Sequence, residues 1–376
     1  MNSIQLVDLS TQYKRIENEV NDAILQVVKS GNFIGGPEVK TFADNLTKKV
    51  GAKHVIPCAN GTDALQIALM ACDLQPGDEV ITPSYTYIAT AEVIALLNLK
   101  PVFIEVNENN FTLDVDQLEK VITPKTKAII PVHLYGQCAN MERVLDFAKK
   151  HNLFVIEDTA QAINTTYTFS DGTTKTAGTM GTIGTTSFFP SKNLGAFGDA
   201  GAIFTNDDEL ATKIKMVANH GQKIKYHHEL IGCNSRLDTI QAAVLDVKLK
   251  YLDEYIKSRQ DAADFYNSHL NAISELQTPF VESYSNHTYH QYTMVLKTPE
   301  LRDGLMEFLK LNGVPCNIYY PIPIHKQKGF QKFEVNTDLS KTEDLCSRVL
   351  SLPMHTELAK DQLEYIVNKV KEFFKK

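Results

Sequence analysis

The chain has 376 residues, of which 43% are hydrophobic and 22% charged, with a formal net charge of -7. This composition excludes a disordered chain, and the acidic balance excludes a whole-chain basic field for nucleic acid. The length allows roughly two to three domain-sized units on a ~150-residue prior. No apolar run approaches the ~18 residues of a membrane span. The N-terminal stretch MNSIQLVDLSTQYKRIENEV lacks the apolar core of a secretory signal. The six cysteines (Cys58, Cys72, Cys138, Cys233, Cys316 and Cys346) form no CxxC pair. Reduced thiols in a cytoplasmic protein are expected, with no metal site.

In chain order, Ala64–Cys72 (ALQIALMAC) reads as a buried helix, VITP as a strand, TYIATAEVIALLN as a helix and PVFIEV as a strand. Leu113–Ile122 reads as helical, KAIIPVHLYG as a strand, Asn140–His151 as an amphipathic helix and LFVIE as a strand. Short apolar strands alternating with helices predict an α/β chain with a mainly parallel, doubly wound sheet. Such sheets hold ligands beyond the carboxyl ends of their strands, which puts Tyr85–Tyr87, His133–Gly136 and Asp158–Gln161 on one edge. From Ser235 to about Leu270 the pattern predicts one long helix. Beyond it lie the strand HQYTMVL, a helix at Leu301–Asn312, the loop PCNIYYPIPIH and a closing helix. Two domains are expected, 1–245 and 246–376, the second a smaller α/β unit.

Between two of these elements lies SFFPSKNLGAFGDAG (187–201), a lysine among glycines. Glycine permits close approach to a ligand, whereas a plain turn would leave Lys192 in solvent. The spacing G-x-x-G-x-x-G matches neither the dinucleotide fingerprint G-x-G-x-x-G nor the phosphate loop G-x-x-x-x-G-K-[ST]. Pyridoxal 5'-phosphate suits the residues better. It needs a lysine for a Schiff base, a carboxylate facing its ring nitrogen, a phosphate cup and a flat partner for the ring. Lys192 supplies the first. Asp158 follows the strand LFVIE and supplies the second, or else caps a helix at DTAQA. Asn60–Gly61–Thr62–Asp63 opens a helix whose N–H groups and dipole favour a phosphate, or else provides ordinary capping. Tyr87 is a stacking partner or a core aromatic.

The stretches GNFIGGPEV (31–39), CANGTDAL (58–65), PSYTYIATAE (83–92), IIPVHLYGQ (129–137) and IEDTAQA (156–162) now matter together. So do SFFPSKNLGAFGDAGAIFTND (187–207), GCNSRLDTIQAA (232–243) and YPIPIH (320–325). With these the chain resembles the DegT/DnrJ/EryC1/StrS family of sugar aminotransferases along nearly its whole length. The resemblance implies a fold-type-I, aspartate aminotransferase-like transferase that uses pyridoxal 5'-phosphate. It implies Lys192 as the Schiff-base lysine and Asp158 as the ring-nitrogen partner. Gln161 then lies beside the ring hydroxyl and Tyr87 on the ring, with Gly61, Thr62, Asp63 and Ser187 in the phosphate cup. It further implies a homodimer with shared sites, in which Asn234 reaches the neighbour's phosphate. Arg236, Tyr320 and His325 are expected at the substrate.

The branch most resembled aminates C3 of UDP-linked 2-acetamido-3-keto sugars, above all the 3-keto-glucuronate, with L-glutamate as donor, in polysaccharide biosynthesis. An acceptor on dTDP with a 3-keto or 4-keto-6-deoxy sugar is the alternative, and a non-catalytic cofactor-binding regulator is a further one. Lys192 argues against the family's dehydratases, which carry histidine there. Two departures, the polar stretch AINTTYTFSDGTTKTAG and Tyr319 where histidine is expected, fall where sugar is expected to be read. His227, His228, His290 and His325 lack zinc spacing.

Overall fold

The computed structural model describes residues 3–375. Three helices come first: α1 Leu9–Arg15, α2 Glu17–Ser30 and α3 Pro37–Val50. Asp8 caps α1 by accepting the Thr11 N–H, and α3 begins on a proline whose missing N–H needs no partner there. There follow β1 His54–Cys58, α4 Gly61–Ala71, β2 Glu79–Pro83, α5 Ala89–Leu96, β3 Lys100–Ile104, α6 Leu118–Val121, β4 Thr126–Ile129, α7 Met141–His151 and β5 Phe154–Asp158. A hairpin, β6 Thr166–Thr168 and β7 Thr174–Thr176, precedes β8 Ile183–Ser187, β9 Gly201–Thr205 and α8 Asp208–Ala218. A second hairpin, β10 Gln222–Ile224 and β11 His227–His228, leads to α9 Thr239–Leu249 and α10 Leu252–Leu270. The chain continues through β12 Leu276–Gln277, β13 Tyr292–Leu296, α11 Pro299–Leu311, α12 Ser340–Arg348, β14 Val349–Leu352 and α13 Lys360–Phe374.

Seven strands form one sheet in the order β1-β9-β8-β5-β4-β2-β3. Only β9 runs against its neighbours; the remaining pairs are parallel. A parallel sheet must be covered on both faces, and the strands are accordingly apolar at consecutive positions. Val80, Ala128 and Ile156 meet Ile67 and Ala68 of α4 on one face. Their neighbours Ile81, Ile129 and Val155 meet Val144 and Phe147 of α7 on the other. The second core is separate: a three-stranded antiparallel sheet, β12-β13-β14, packs with Tyr266 of α10, Leu309 of α11 and Ile366 of α13. Ile4, near the start of the chain, also enters this core. The boundary expected at 245/246 falls inside α9.

Three expectations differ from the fold. The long helix Ser235–Leu270 is two helices, because α9 closes in i→i−3 turns at Lys250 and Tyr251. The break redirects the chain, so that α9 lies on α2 and α3 while α10 lies on α13. Every residue around it is helix-compatible, so periodicity carried no sign of it. The strand KAIIPVHLYG stops at Ile129; Pro131 cannot donate to a ladder, and Tyr135 and Gly136 turn at φ 59° and 111°. Leu113–Ile122 is a short 3₁₀ turn, Val115–Gln117, followed by the single turn α6.

Candidate active site

A cavity of about 520 Å³ opens where β5 and β8 end and α4 begins. Asp158 is the last residue of β5, and its side chain is buried. Its Oδ2 accepts the Thr90 hydroxyl at 2.8 Å and its Oδ1 the Ala160 N–H at 3.1 Å. No helix follows it: residues 159–165 run as turns, so the carboxylate closes a local turn rather than capping a helix.

Lys192 lies in the loop between β8 and β9, half-buried on the same cavity wall. Burial pulls its amine down to about 8, against the opposing pull of the Asp158 carboxylate. At pH 7 an amine near 8 is about a tenth unprotonated, against roughly three in ten thousand at the ordinary lysine value. The glycines around Lys192 serve the protein's own packing. A Cβ on Gly195 would stand 2.2 Å from the Pro190 carbonyl oxygen, and one on Gly201 2.6 Å from the Asn60 backbone. The loop folds back on itself and strand β9 presses against the start of α4.

That helix start is the second wall. Asn60 Oδ1 accepts the Asp63 N–H at 2.8 Å. Helical geometry leaves the N–H groups of Gly61 and Thr62 without intrahelical acceptors. Both residues line the cavity, as does Ser187 at the end of β8; Asp63 does not. A Cβ on Gly61 would sit 2.6 Å from that of Ser187, so helix and strand meet here only because residue 61 is glycine. The positive end of α4 and the serine hydroxyl suit one anion.

Gln161 is held at both ends: its Oε1 accepts the Tyr135 N–H at 2.8 Å and its Nε2 donates to the Tyr320 hydroxyl at 2.9 Å. Burial, with Asp158 adding to it, pushes the Tyr320 phenol up, so Tyr320 remains neutral. Tyr87 lines the cavity mouth, more than half exposed, its ring 6.2 Å from that of Tyr320.

Asn234 and Arg236 do not line this cavity. Their segment is extended, with Ser235 and Leu237 buried and Asn234 and Arg236 exposed. Ser235 Oγ accepts the Ala59 N–H at 3.1 Å, which ties the segment beside α4. His325 also lies off the cavity; its ring is held between Ser84 Oγ at 2.8 Å and Glu343 Oε1 at 3.0 Å. Of the two departures, Tyr319 lines the cavity, whereas the β6–β7 hairpin lies away from it. The hairpin packs Tyr167 against Phe169 and Tyr284. His227 and His228 are exposed in the β10–β11 hairpin. Among the described residues no group of His, Cys, Asp or Glu has the form of a metal site.

Among the wall residues that were not assigned from sequence, two bear on the wall's charged groups. Thr90 holds Asp158 across 68 positions of chain, and only its place one helical turn after Tyr87 hints at a shared face. His290 is buried beside Lys192 with its Nδ1 unpartnered. Burial, Lys192 and Arg259 hold its imidazole well below the ordinary range, so the ring is neutral.

A lysine with a depressed amine, a buried carboxylate at a strand end, a helix N-terminus for an anion and aromatic walls fit pyridoxal 5'-phosphate. On this sheet they define a fold-type-I enzyme dependent on that cofactor. A profile of the DegT/DnrJ/EryC1/StrS aminotransferase family matches residues 14–371. The chain belongs to that family. It is 46% identical, over 94% of its length and 96% of the relative's, to the UDP-2-acetamido-2-deoxy-3-oxo-D-glucuronate aminotransferase of Pseudomonas aeruginosa. It is 44% identical, over 99% of both chains, to a pleiotropic regulatory protein of Geobacillus stearothermophilus. The crystal structure of a DegT/DnrJ/EryC1/StrS aminotransferase from Brucella abortus superposes with a TM-score of 0.94 at 41% identity, covering 99% of this chain and 100% of that one.

Proposed function

We propose that this enzyme moves an amino group from L-glutamate to C3 of a UDP-linked 2-acetamido-3-keto sugar, the 3-keto-glucuronate before others, in the cytoplasm and for polysaccharide synthesis. The similarity to the Pseudomonas aeruginosa enzyme over almost the whole of both chains carries this reading. When bound, pyridoxal phosphate supplies the electron sink and carries the amino group between the two halves of the reaction. The rest falls to the chain. Lys192 Nζ binds the cofactor and, once released, takes the proton from the α-carbon of the donor. Asp158, oriented by Thr90 and Ala160, keeps the ring nitrogen protonated. The first turn of α4 and Ser187 hold the phosphate, Gln161 and Tyr320 flank the ring and Tyr87 covers it.

A second copy of the chain completes the site in this reading. Lys192 is the one cation among the described residues of the cavity wall. A nucleotide sugar brings a diphosphate, and a uronate adds another anion. Asn234 and Arg236 point outward beside the phosphate cup, next to the exposed apolar residues Phe33 and Ile34, which pair with Asp238 and Thr239. That patch supports a homodimer in which Asn234 serves the neighbour's phosphate and Arg236 its uronate, through a bidentate fork. His325, with both ring nitrogens engaged, holds the YPIPIH loop.

The test is mass spectrometry of products from UDP- and dTDP-linked 3-keto sugars, with the uronate set against its C6-alcohol analogue. Loss of a charge-assisted contact is worth ~1.5–3 kcal/mol, so the uronate is expected to be used roughly tenfold to a hundredfold better. Equal use, or preference for the alcohol, discards the uronate. The Geobacillus relative's name favours a second reading, a cofactor-binding regulator. A bound-cofactor spectrum unchanged by glutamate would select it.

A further inference from the structure

Behind Asp158, on the opposite face of β5, lies Glu157, for which the roles above leave no task. Its side chain and that of His133 are fully buried. Oε1 of Glu157 accepts the N–H groups of Met180 at 2.7 Å and Gly181 at 2.6 Å. Oε2 accepts the Gly178 N–H at 2.8 Å and faces His133 Nε2 at 2.9 Å. The histidine's tautomer follows from its other nitrogen. His133 Nδ1 receives the Ala139 N–H at 3.1 Å, and a backbone N–H can only donate. The ring proton therefore sits on Nε2, aimed at Glu157, and the imidazole is neutral.

Four N–H donors thus converge on two oxygens. A carboxyl proton would need an acceptor, and every neighbour is a donor, so this is the arrangement of an ionised carboxylate. Among the described residues, no lysine or arginine pairs with it. A whole negative charge is buried here against dipoles alone, one peptide unit from Asp158. The same backbone links the two groups: the His133 N–H donates to the Asp158 carbonyl oxygen at 3.0 Å, and the Asp158 N–H to that of Pro131 at 3.0 Å.

We propose that Glu157 is a positioning residue for the cofactor's ring proton: its fixed charge deepens the negative potential at the Asp158 carboxylate and holds the proton on the ring nitrogen that Asp158 faces. Solvent and salt screen a fully buried charge little, so its field reaches across the strand. The proposal rests on Asp158 being the ring-nitrogen partner.

The experiment is nuclear magnetic resonance of the holoenzyme loaded with cofactor labelled with ¹⁵N at the ring nitrogen, whose resonance reports protonation of that atom. Glu157→Gln removes the charge. His133→Lys cancels it with a facing ammonium and leaves the carboxylate in place, which keeps the test open if the first variant fails to fold. His133→Gln disturbs the same network but keeps a donor, an acceptor and the charge. Asp158→Asn calibrates the shift toward an unprotonated ring. Glu157→Gln and His133→Lys are expected to move the resonance in the direction of Asp158→Asn by a smaller amount, and His133→Gln to leave it in place. An unmoved resonance in both charge variants, or an equal movement in His133→Gln, overturns the proposal and leaves a structural clamp. If Asp158→Asn itself moves nothing, the assignment of Asp158 fails and the proposal falls with it.

Discussion

The low amine of Lys192 follows from where the residue is buried. Desolvation lowers its amine to about 8 while Asp158 pulls the other way. In protein stripped of cofactor, acylation of the Lys192 peptide followed by mass spectrometry is expected to show a midpoint near pH 8, below that of exposed lysines. A folded-state value below the unfolded 10.5 also means that the unfolded chain binds more protons between about 8 and 10.5. The apoprotein should therefore gain stability as pH rises through that window. Lys192→Ala should bind cofactor without transferring an amino group, and borohydride reduction of the wild type should label Lys192. Asp158→Asn should lower transamination far more than it lowers the thermal midpoint, and near wild-type turnover would reduce the residue to a turn former. The motif stretches pointed to Lys192 and Asp158, which both line the cavity. They contained Thr90, in PSYTYIATAE, but not its contact with Asp158 68 residues away, because nothing in a local pattern records such a distance.

At the scale of elements, the proposed phosphate cup depends on how tightly α4 meets β8. Gly61→Ala forces its new methyl to 2.6 Å from Ser187 Cβ, so strand and helix must part. Cofactor affinity, followed by fluorescence titration, is expected to fall at least about tenfold, near 1.4 kcal/mol, while the rest of the fold persists. Unchanged affinity would mean that the anion sits elsewhere. The core makes the contrasting case. Phe147→Ala on α7 removes a ring packed beneath the sheet and is expected to cost about 3–5 kcal/mol in chemical denaturation, with wild-type cofactor affinity in the protein that remains folded. The parallel strands and their helices were legible because apolar runs of strand length separate amphipathic ones. The α9–α10 break was not, since Lys250 and Tyr251 have no helix-breaking chemistry and what bends the chain there is the need to pack on two different partners.

For the whole molecule, the outward-facing Asn234 and Arg236, and Lys192 as the one cation among the described residues of the cavity wall, bear on assembly. If sites are shared, mixing inactive Lys192→Ala chains with inactive Asn234→Asp chains should restore up to one working site per hybrid dimer. No recovery after verified subunit exchange would mean that each chain builds its site alone. What the sequence by itself determined was the chemistry: a lysine, a carboxylate and a helix N-terminus at the ends of parallel strands, in motifs dense enough to identify a family. These were readable because they lie at strand ends and turns, where short stretches of chain carry both the geometry and the side chains. Only the tertiary structure decided what surrounds those groups. It set the burial that lowers the Lys192 amine, the hydroxyl of Thr90 on Asp158, the neutral His290 and the four N–H groups gathered on Glu157 behind the strand. It also drew His325 away to Ser84 and Glu343. Each of these is a meeting of residues far apart in the chain, and burial and hydrogen bonding exist only after the chain has closed on itself.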